Sequence, residues 1–402
     1  MKKGLELRDD ENLLTGLCRS SFNPELKTML RALAEGIADW KHFITMASEH
    51  GVAALVYHNL EKLDLLQLLP EGEKSFLKKC LLKSLSRNTR NAKMLAEALH
   101  LMNSQDMKVV LLKGSALEIM VYGNEGLRQM SDVDVLLSRQ DCLDARILLM
   151  KNGFRSYPVK SVFHKPIMGY IGKHLPTLMK NDMRLELHHE LFGKDSSLTK
   201  LLFDESREIR INGERAFLPQ ISIFFLYLVR HLCMHEMNNE SQLRLYSDLV
   251  ILAEKSGDEI FTTELIDYAE QAGLSDMLAA KLQILRDLWG ITYPEWINEF
   301  TDKHYDPASL NKFIFFLKSP KNNPPENKTK FYYKSFSEIP GIYRKVLYIL
   351  GDLFPYPAFM KRRYRRNSTL GILPYYILRW GKLWYLIKGS MPDKLYLEDP
   401  TR

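Results

Sequence analysis

Residues 109–115 read VVLLKGS and residues 131–137 read SDVDVLL, and these two stretches decide the fold. Each contains a short apolar run, which is typical of a buried strand. The first run ends in Gly114-Ser115, which predicts a turn into a helix. The second run encloses Asp134 and is followed by Ser138, a residue type that caps helix N-termini. Together the two stretches predict a strand, a helix, a second strand and a second helix.

Two carboxylates, Asp132 and Asp134, are two residues apart on the second predicted strand. Alternate side chains of a strand share a face, so both carboxylates project from the same side with Cα atoms ~6.5 Å apart. Such oxygen ligands suit Mg²⁺, and two carboxylates so placed can share a pair of ions. An isolated Asp-x-Asp is equally well a solvated turn, so the interpretation depends on the apolar strand around the pair.

The Gly114-Ser115 turn upstream predicts a phosphate-binding position. Glycine lets a phosphate approach the backbone, a serine hydroxyl can hydrogen-bond it, and the next helix N-terminus offers free N–H groups. The alternative is an ordinary strand-to-helix turn. Lys113 and Arg128 could neutralise triphosphate charge, Arg128 through its bidentate fork, and a structural salt bridge is the alternative for each.

A β-hairpin is predicted from residues 174–180 and 183–188. Asn181-Asp182 suits its two-residue turn because both residue types tolerate a positive φ. On the second arm, side chains alternate between an apolar face and a face that carries Glu186 and His188. This face is therefore a second place where polar groups meet on a strand.

Helices are predicted on both sides of the strands. Apolar residues recur at three- and four-residue steps in residues 1–104, as at Met94, Leu95, Ala98 and Met102, and residues ~219–290 are also predicted helical. We expect an α+β protein in which a small mixed sheet is flanked by helical segments. Its predicted divisions are an N-terminal helical region, a core with the sheet, a helical region packed on that core and a basic, aromatic-rich C-terminal region: 1–104, 105–195, 196–300 and 301–402.

The composition excludes several classes of protein. With 46% hydrophobic and 26% charged residues, the chain of 402 residues is neither disordered nor collagenous. It contains no ~18-residue apolar run, P-loop, dinucleotide-binding glycine motif or Gly-x-Ser-x-Gly element. Its first residues lack the apolar core of a secretory signal, so we expect no such signal. Its four cysteines are far apart and form no CxxC pair, so we expect a reducing, cytoplasmic setting.

Positive charge is concentrated at the C-terminal end. Residues 311–402 contain 18 Lys and Arg against 6 Asp and Glu, a net of +12 within a total of +7. Residues 361–366, KRRYRR, supply five of these cations, and Tyr375, Tyr376, Trp380, Trp384 and Tyr385 follow. The pattern predicts contact with anionic lipid, at the inner membrane surface, or with RNA. The alternative is a folded tail whose aromatic rings pack on the protein.

The strand–Gly-Ser–helix–Asp-x-Asp arrangement resembles the polymerase-beta-like nucleotidyltransferase superfamily. More narrowly, LKGSAL at 112–117 with Arg128 and SDVDVL at 131–136 looks like a largely uncharacterised bacterial branch with the pattern LKG-x-A-L … R-x-x-x-D-x-D. Sixteen residues separate Ser115 from Asp132, more than is usual in the wider superfamily. We interpret the difference as a longer helix and loop.

The resemblance implies roles for further residues. The superfamily has a third carboxylate on a neighbouring strand, and Glu186 is our candidate for it, as a metal ligand or a base; the alternative is an exposed surface strand. His188 could contact substrate or pack beside the site. Arg244 and Asp248, four residues apart on a helix, are expected to pair with each other, although the matching helix of the family packs over the active site and could contact substrate.

The resemblance implies a Mg-dependent enzyme that transfers a nucleoside monophosphate from an NTP and releases pyrophosphate. Asp132, Asp134 and Glu186 would hold two Mg²⁺ ions, and Gly114 and Ser115 would position the outer phosphates. The sequence leaves the acceptor open among a small molecule, a peptide, a protein and tRNA. Two alternatives are a non-catalytic relative that binds nucleotide and an interaction protein that works through its basic tail.

Overall fold

The structure is a computed structural model that describes residues 7–123, 126–192, 196–238, 240, 242–319 and 336–388, with side chains as far as 381. Trp384 and Tyr385 lie outside the described side chains. The helices are α1 (Asp9–Leu17), α2 (Pro24–Glu35), α3 (Trp40–Glu49), α4 (Ala53–Lys62), α5 (Glu71–Asn103), α6 (Lys113–Leu117), α7 (Arg139–Lys151), α8 (Ser197–Asp204), α9 (Ile221–Met237), α10 (Leu243–Ile260), α11 (Thr263–Gln271), α12 (Ser275–Trp289), α13 (Glu295–Lys303), α14 (Ala308–Lys318), α15 (Ile342–Leu353), α16 (Pro357–Arg363) and α17 (Leu373–Lys388). The strands are β1 (Val110–Leu111), β2 (Val133–Leu136), β3 (Arg155–Ser156), β4 (Leu178–Lys180), β5 (Met183–His188), β6 (Ser206–Ile211) and β7 (Glu214–Pro219). The predicted α+β class is confirmed.

The chain divides into two compact units, each made of two stretches of sequence. The first unit consists of Met1–Leu136 and Ser196–Pro325, and the second of Leu137–Asp195 and Glu326–Arg402. The Asp-x-Asp pair therefore belongs to the first unit, whereas Glu186 and His188 belong to the second.

Four strands of the first unit form a mixed sheet in the order β6–β7–β1–β2. β1 is antiparallel to β2, with Leu111 opposite Val135, and parallel to β7, with Val110 opposite Phe217. β6 and β7 are an antiparallel hairpin. All residues of β1 and β2 are buried, which explains why both strands are apolar except at Asp134.

The helix after β1 begins inside the segment predicted to be a turn. α6 begins at Lys113, and a π-helical turn, Glu118–Tyr122, continues it. Gly123 then ends the helix in the left-handed conformation with φ 59°, which glycine adopts without strain. This extension accounts for part of the long spacing between Ser115 and Asp132.

In the second unit, β3, β4 and β5 are antiparallel, and β4 and β5 form the predicted hairpin. Asn181 and Asp182 have φ of 49° and 64°, so the predicted turn is confirmed. The first arm is shorter than predicted, because β4 begins at Leu178. Pro176 lies just before it and has no N–H to donate to a ladder. Ser138 caps α7 through the Asp141 N–H, as predicted.

The core of the first unit is helical and aromatic. Tyr227 on α9 and Tyr246 on α10 are almost completely buried, and Tyr246 packs against the rings of Trp289 and Phe313. Met94, Leu95, Ala98 and Met102 of α5 are buried, as their spacing predicts. Among the described residues, no helix combines the length and apolar character that crossing a lipid bilayer requires.

Candidate functional site

Asp134 is the most deeply buried of the three carboxylates predicted to bind metal. It lies on β2 and is 3% exposed. Lys113 Nζ donates to Asp134 Oδ1 at 2.7 Å. Burial alone would lower the pKa of Lys113, but the negative charge of Asp134 outweighs it and the pKa lies above its ordinary value. Lys113 is therefore a cation next to a buried carboxylate, which needs such a partner.

Asp132 lies immediately before β2 and is partly exposed. Its Oδ1 accepts a hydrogen bond from Ser131 Oγ at 2.9 Å. The two aspartates thus differ in environment, although they are only two residues apart. Asp134 is held inside the unit, while Asp132 stands at its surface.

Gly114 and Ser115 lie in the first turn of α6, where both are in contact with other groups of the protein. Ser115 Oγ donates to the Leu112 carbonyl at 2.8 Å and lies 3.3 Å from the Asp134 carbonyl, so this hydroxyl joins β1 to β2. A Cβ added to Gly114 would overlap Arg128 Nη1 and Met130 Sδ. Close packing therefore explains why position 114 is a glycine, and no bound phosphate is needed to explain it.

Arg128 forms a buried, bidentate ion pair with Asp248 on α10. Arg128 Nε and Nη2 donate to the two carboxylate oxygens of Asp248, each at 2.8 Å, and the Tyr122 hydroxyl donates to Asp248 Oδ1 at 2.8 Å. Arg128 is 6% exposed and Asp248 is 1% exposed. Burial acts to lower the pKa of Arg128, but Asp248 outweighs it and the pKa is raised. This ion pair connects α10 to the segment that contains Arg128 and precedes β2.

The prediction that Arg244 pairs with Asp248 is wrong. Arg244 Nη1 instead donates to the Gln129 carbonyl at 2.5 Å, and Arg244 Nη2 lies 3.4 Å from Gln242 Oε1. Burial and then the charge of Arg128 lower the pKa of Arg244. Asp248 instead accepts two parallel N–H groups from the Arg128 guanidinium.

Glu186 and His188 form a second polar group, on β5. Met183, Leu185 and Leu187 are buried on the apolar face, as the alternation predicts. Glu186 Oε2 lies 3.5 Å from His188 Nε2 and 3.7 Å from His174 Nε2, and Glu186 Oε1 accepts from Thr177 Oγ1 at 3.3 Å. The Glu186 carboxylate therefore lies between two imidazoles.

His174 is a site residue that sequence reasoning missed. A hairpin continued in strict register from the Leu178–Leu185 pair would place His174 opposite His189. The structure instead bridges His174 to His188, with ring centroids 5.1 Å apart. The register shifts by one residue near Pro176, as at a β-bulge. A proline inside a predicted strand, next to a histidine, is the signal that could have indicated it.

Within each unit, some of the predicted site residues contact one another, and others contact different groups of the protein. Lys113 meets Asp134, and Arg128 meets Asp248; Ser115 contacts backbone carbonyls, and Arg244 contacts Gln129. In the second unit, Glu186 meets His188.

Comparison with known proteins identifies the family to which the chain is similar. A family model described as "uncharacterised nucleotidyltransferase" matches residues 37–290, more than half of the chain, including Lys113, Asp134, Glu186 and Asp248. Among solved structures, an antigenic nucleotidyltransferase-like protein from Paracoccidioides brasiliensis is similar at 13% identity and a TM-score of 0.32, over 52% of this chain and 94% of its own. No curated protein matches the chain.

Proposed function

The chain belongs to the family of uncharacterised nucleotidyltransferases, and from this premise we propose that it transfers a nucleoside monophosphate from an NTP to an acceptor. The reaction releases pyrophosphate. The observation that carries the proposal is the buried Asp134 carboxylate, which lies beside the Lys113 ammonium at the end of a strand–helix–strand unit. Burial of a carboxylate is costly, and binding of a cation and an anionic nucleotide gives a reason for it.

Asp132, Asp134 and Glu186 offer carboxylate oxygens, which are the ligands that Mg²⁺ prefers. We propose that these residues hold two Mg²⁺ ions. Bound Mg²⁺ would supply neutralisation of the triphosphate charge that develops as pyrophosphate leaves.

Lys113 is proposed to bind the triphosphate. Its ammonium is partly exposed and already sits at the carboxylate that would face the nucleotide. Ser115 and Arg128 are weaker candidates, because the Ser115 hydroxyl is bonded to backbone carbonyls and the Arg128 guanidinium to Asp248. Glu186 is proposed to lie on the acceptor side, where its carboxylate would take the proton of the attacking group.

A non-catalytic, nucleotide-binding relative is the second candidate, and the Lys113–Asp134 ion pair favours it. Lys113 already compensates the Asp134 charge, and a lysine can replace a metal ion in that role. The two candidates differ in whether the α-phosphate moves from the nucleotide.

The full-length protein should be incubated with each α-³²P-labelled NTP, Mg²⁺ and cell lysate. Wild type should transfer the label to an acceptor and release pyrophosphate, because the α-phosphate is the group transferred. Asp134→Asn should lower transfer at least about 100-fold, the usual cost of losing a group that stabilises transition-state charge. Glu186→Gln should still bind Mg-NTP but lose most transfer. Asp144→Asn, an exposed acid on α7, is the matched control and should keep full transfer.

Equal turnover in wild type, Asp134→Asn and Asp132→Asn would contradict the two-metal proposal. NTP binding by calorimetry, with the label still on the nucleotide in every lysate fraction, would favour the non-catalytic relative.

A further inference from the structure

A basic cavity lies at the end of α16. Its volume is about 480 Å³ and its lining residues are Ala358, Lys361, Arg362, Arg365, Arg366 and Asn367. The chain reverses there, since the Arg366 N–H donates to the Lys361 carbonyl at 2.9 Å and Arg365 has φ 50°. A residue other than glycine seldom adopts this left-handed conformation. The turn brings four cationic side chains to one cavity.

These four charges have no acidic partner in the part of the chain that the structure describes. No carboxylate there lies within 4.0 Å of Lys361, Arg362, Arg365 or Arg366. Arg362 stacks on the Tyr157 ring at 5.5 Å and Arg366 donates to the Tyr375 hydroxyl at 2.9 Å, so two of the guanidinium groups are held in place. Four cations around an open cavity repel one another, and a phosphate group would relieve the repulsion through charge-assisted hydrogen bonds.

An apolar face adjoins the cavity. Leu370, Leu373 and Ile377 are 78%, 52% and 68% exposed. Leu373 and Ile377 are four residues apart on α17 and so lie on the same face. The Tyr364 and Tyr375 rings stack with centroids 4.2 Å apart, which joins the start of α17 to the basic turn. Exposed aliphatic side chains beside a cluster of Lys and Arg are typical of a segment that lies in a membrane interface.

Lipid explains these features better than RNA does. Binding of single-stranded RNA uses exposed aromatic rings on which bases stack. Here Tyr364 and Tyr375 stack on each other, and Trp380 packs against Phe354 and donates to the Leu353 carbonyl. The most exposed apolar side chains of the adjoining face, Leu370 and Ile377, are aliphatic.

We propose that this C-terminal segment binds the surface of a bilayer that contains anionic phospholipids. The cavity takes lipid phosphate groups, and Leu370, Leu373 and Ile377 enter the interface. The proposal is independent of the nucleotidyltransferase reaction, because none of these residues belongs to the candidate active site.

The test is co-sedimentation of the full-length protein with vesicles of phosphatidylcholine alone or with about 30% phosphatidylglycerol. Binding should require the anionic lipid and should be lost between about 0.1 M and about 1 M salt, where the Debye length falls from ~10 Å to ~3 Å. The double variant Lys361→Glu/Arg365→Glu removes two cations that make no described side-chain contact. Each basic residue near an anionic surface contributes a factor of about five, so binding should weaken at least about 20-fold.

Two further variants separate charge from apolar contact. Lys79→Glu/Lys83→Glu, at exposed positions of α5, makes the same change in net charge and should alter binding less than about twofold. Leu370→Ser/Ile377→Ser should weaken vesicle binding at least about tenfold and should leave the salt dependence of binding unchanged. If the charge-reversal variant fails to fold by circular dichroism, Lys361→Gln/Arg365→Gln replaces it, with an expected loss of about 20-fold.

Several results would overturn the proposal. One is equal binding of wild type to both vesicle types. Another is a loss of vesicle binding in Lys79→Glu/Lys83→Glu as large as that in Lys361→Glu/Arg365→Glu. A third is binding of a single-stranded RNA or inorganic pyrophosphate without binding of vesicles. Concentration-dependent dimerisation that the Leu370→Ser/Ile377→Ser variant abolishes, without vesicle binding by wild type, would assign the apolar face to a second copy of the chain.

Discussion

Replacement of Asp248 by asparagine should destabilise the protein severely. The variant keeps the shape of the side chain but removes the negative charge, and Arg128 stays buried with one amide oxygen as its acceptor. Removal of one member of a buried pair costs about 3–5 kcal/mol. The hydrogen bonds give a similar figure, because Asp248 accepts three at 2.8 Å and bonds to charged groups contribute about 1.5–3 kcal/mol each, of which asparagine retains a part.

The measurement is urea unfolding followed by circular dichroism, with the free energy of unfolding taken at zero urea. Asp258→Asn is the matched control, since Asp258 lies on the same helix and is exposed; it should change the free energy by less than about 0.5 kcal/mol. The triple variant Arg128→Met/Tyr122→Phe/Asp248→Leu should recover at least half of the loss. Apolar replacement of a whole buried ion pair is often neutral, and Tyr122→Phe removes the hydroxyl that would lose its acceptor.

A loss below about 1 kcal/mol in Asp248→Asn would refute this reasoning. Unchanged unfolding together with a raised KM for NTP would instead assign Asp248 to substrate contact, as the resemblance to the superfamily implies.

Three further predictions concern packing, the hairpin turn and pH. Gly114→Ala should lower the free energy of unfolding by about 1–3 kcal/mol, because the new Cβ overlaps Arg128 and Met130. An unchanged urea midpoint would show that the Arg128 and Met130 side chains move aside without cost. Asp182→Gly should raise stability by about 0.5–1 kcal/mol, since Asp182 has φ 64° and glycine adopts it freely, and a lower melting temperature would count against this. Burial, and then the charge of Lys160, lowers the pKa of His164 to about 4; the unfolded chain therefore takes up the proton first, so stability should fall between about pH 6.5 and 4. His164→Asn should flatten that slope in unfolding measured across this range, and an unchanged slope would exclude His164 as its source.

Local patterns were sufficient where one short segment carries the whole signal. The apolar runs predicted β1 and β2, Ser138 predicted the start of α7, and Asn181-Asp182 predicted the turn between β4 and β5. Each of these depends on the conformational preferences of a few consecutive residues. The family followed from the same region, because its motif is compact in sequence.

Local sequence patterns were thus enough to predict the α+β class, the order of strand and helix around Gly114, and the family. Tertiary structure alone decided that Arg128 pairs with Asp248 across 120 residues, that Lys113 meets Asp134, and that His174 faces His188. The physical reason is that charge and hydrogen bonding act between groups near in space. Several partners of the right charge exist for each group, and only the packing of the elements determines which one comes within about 3 Å.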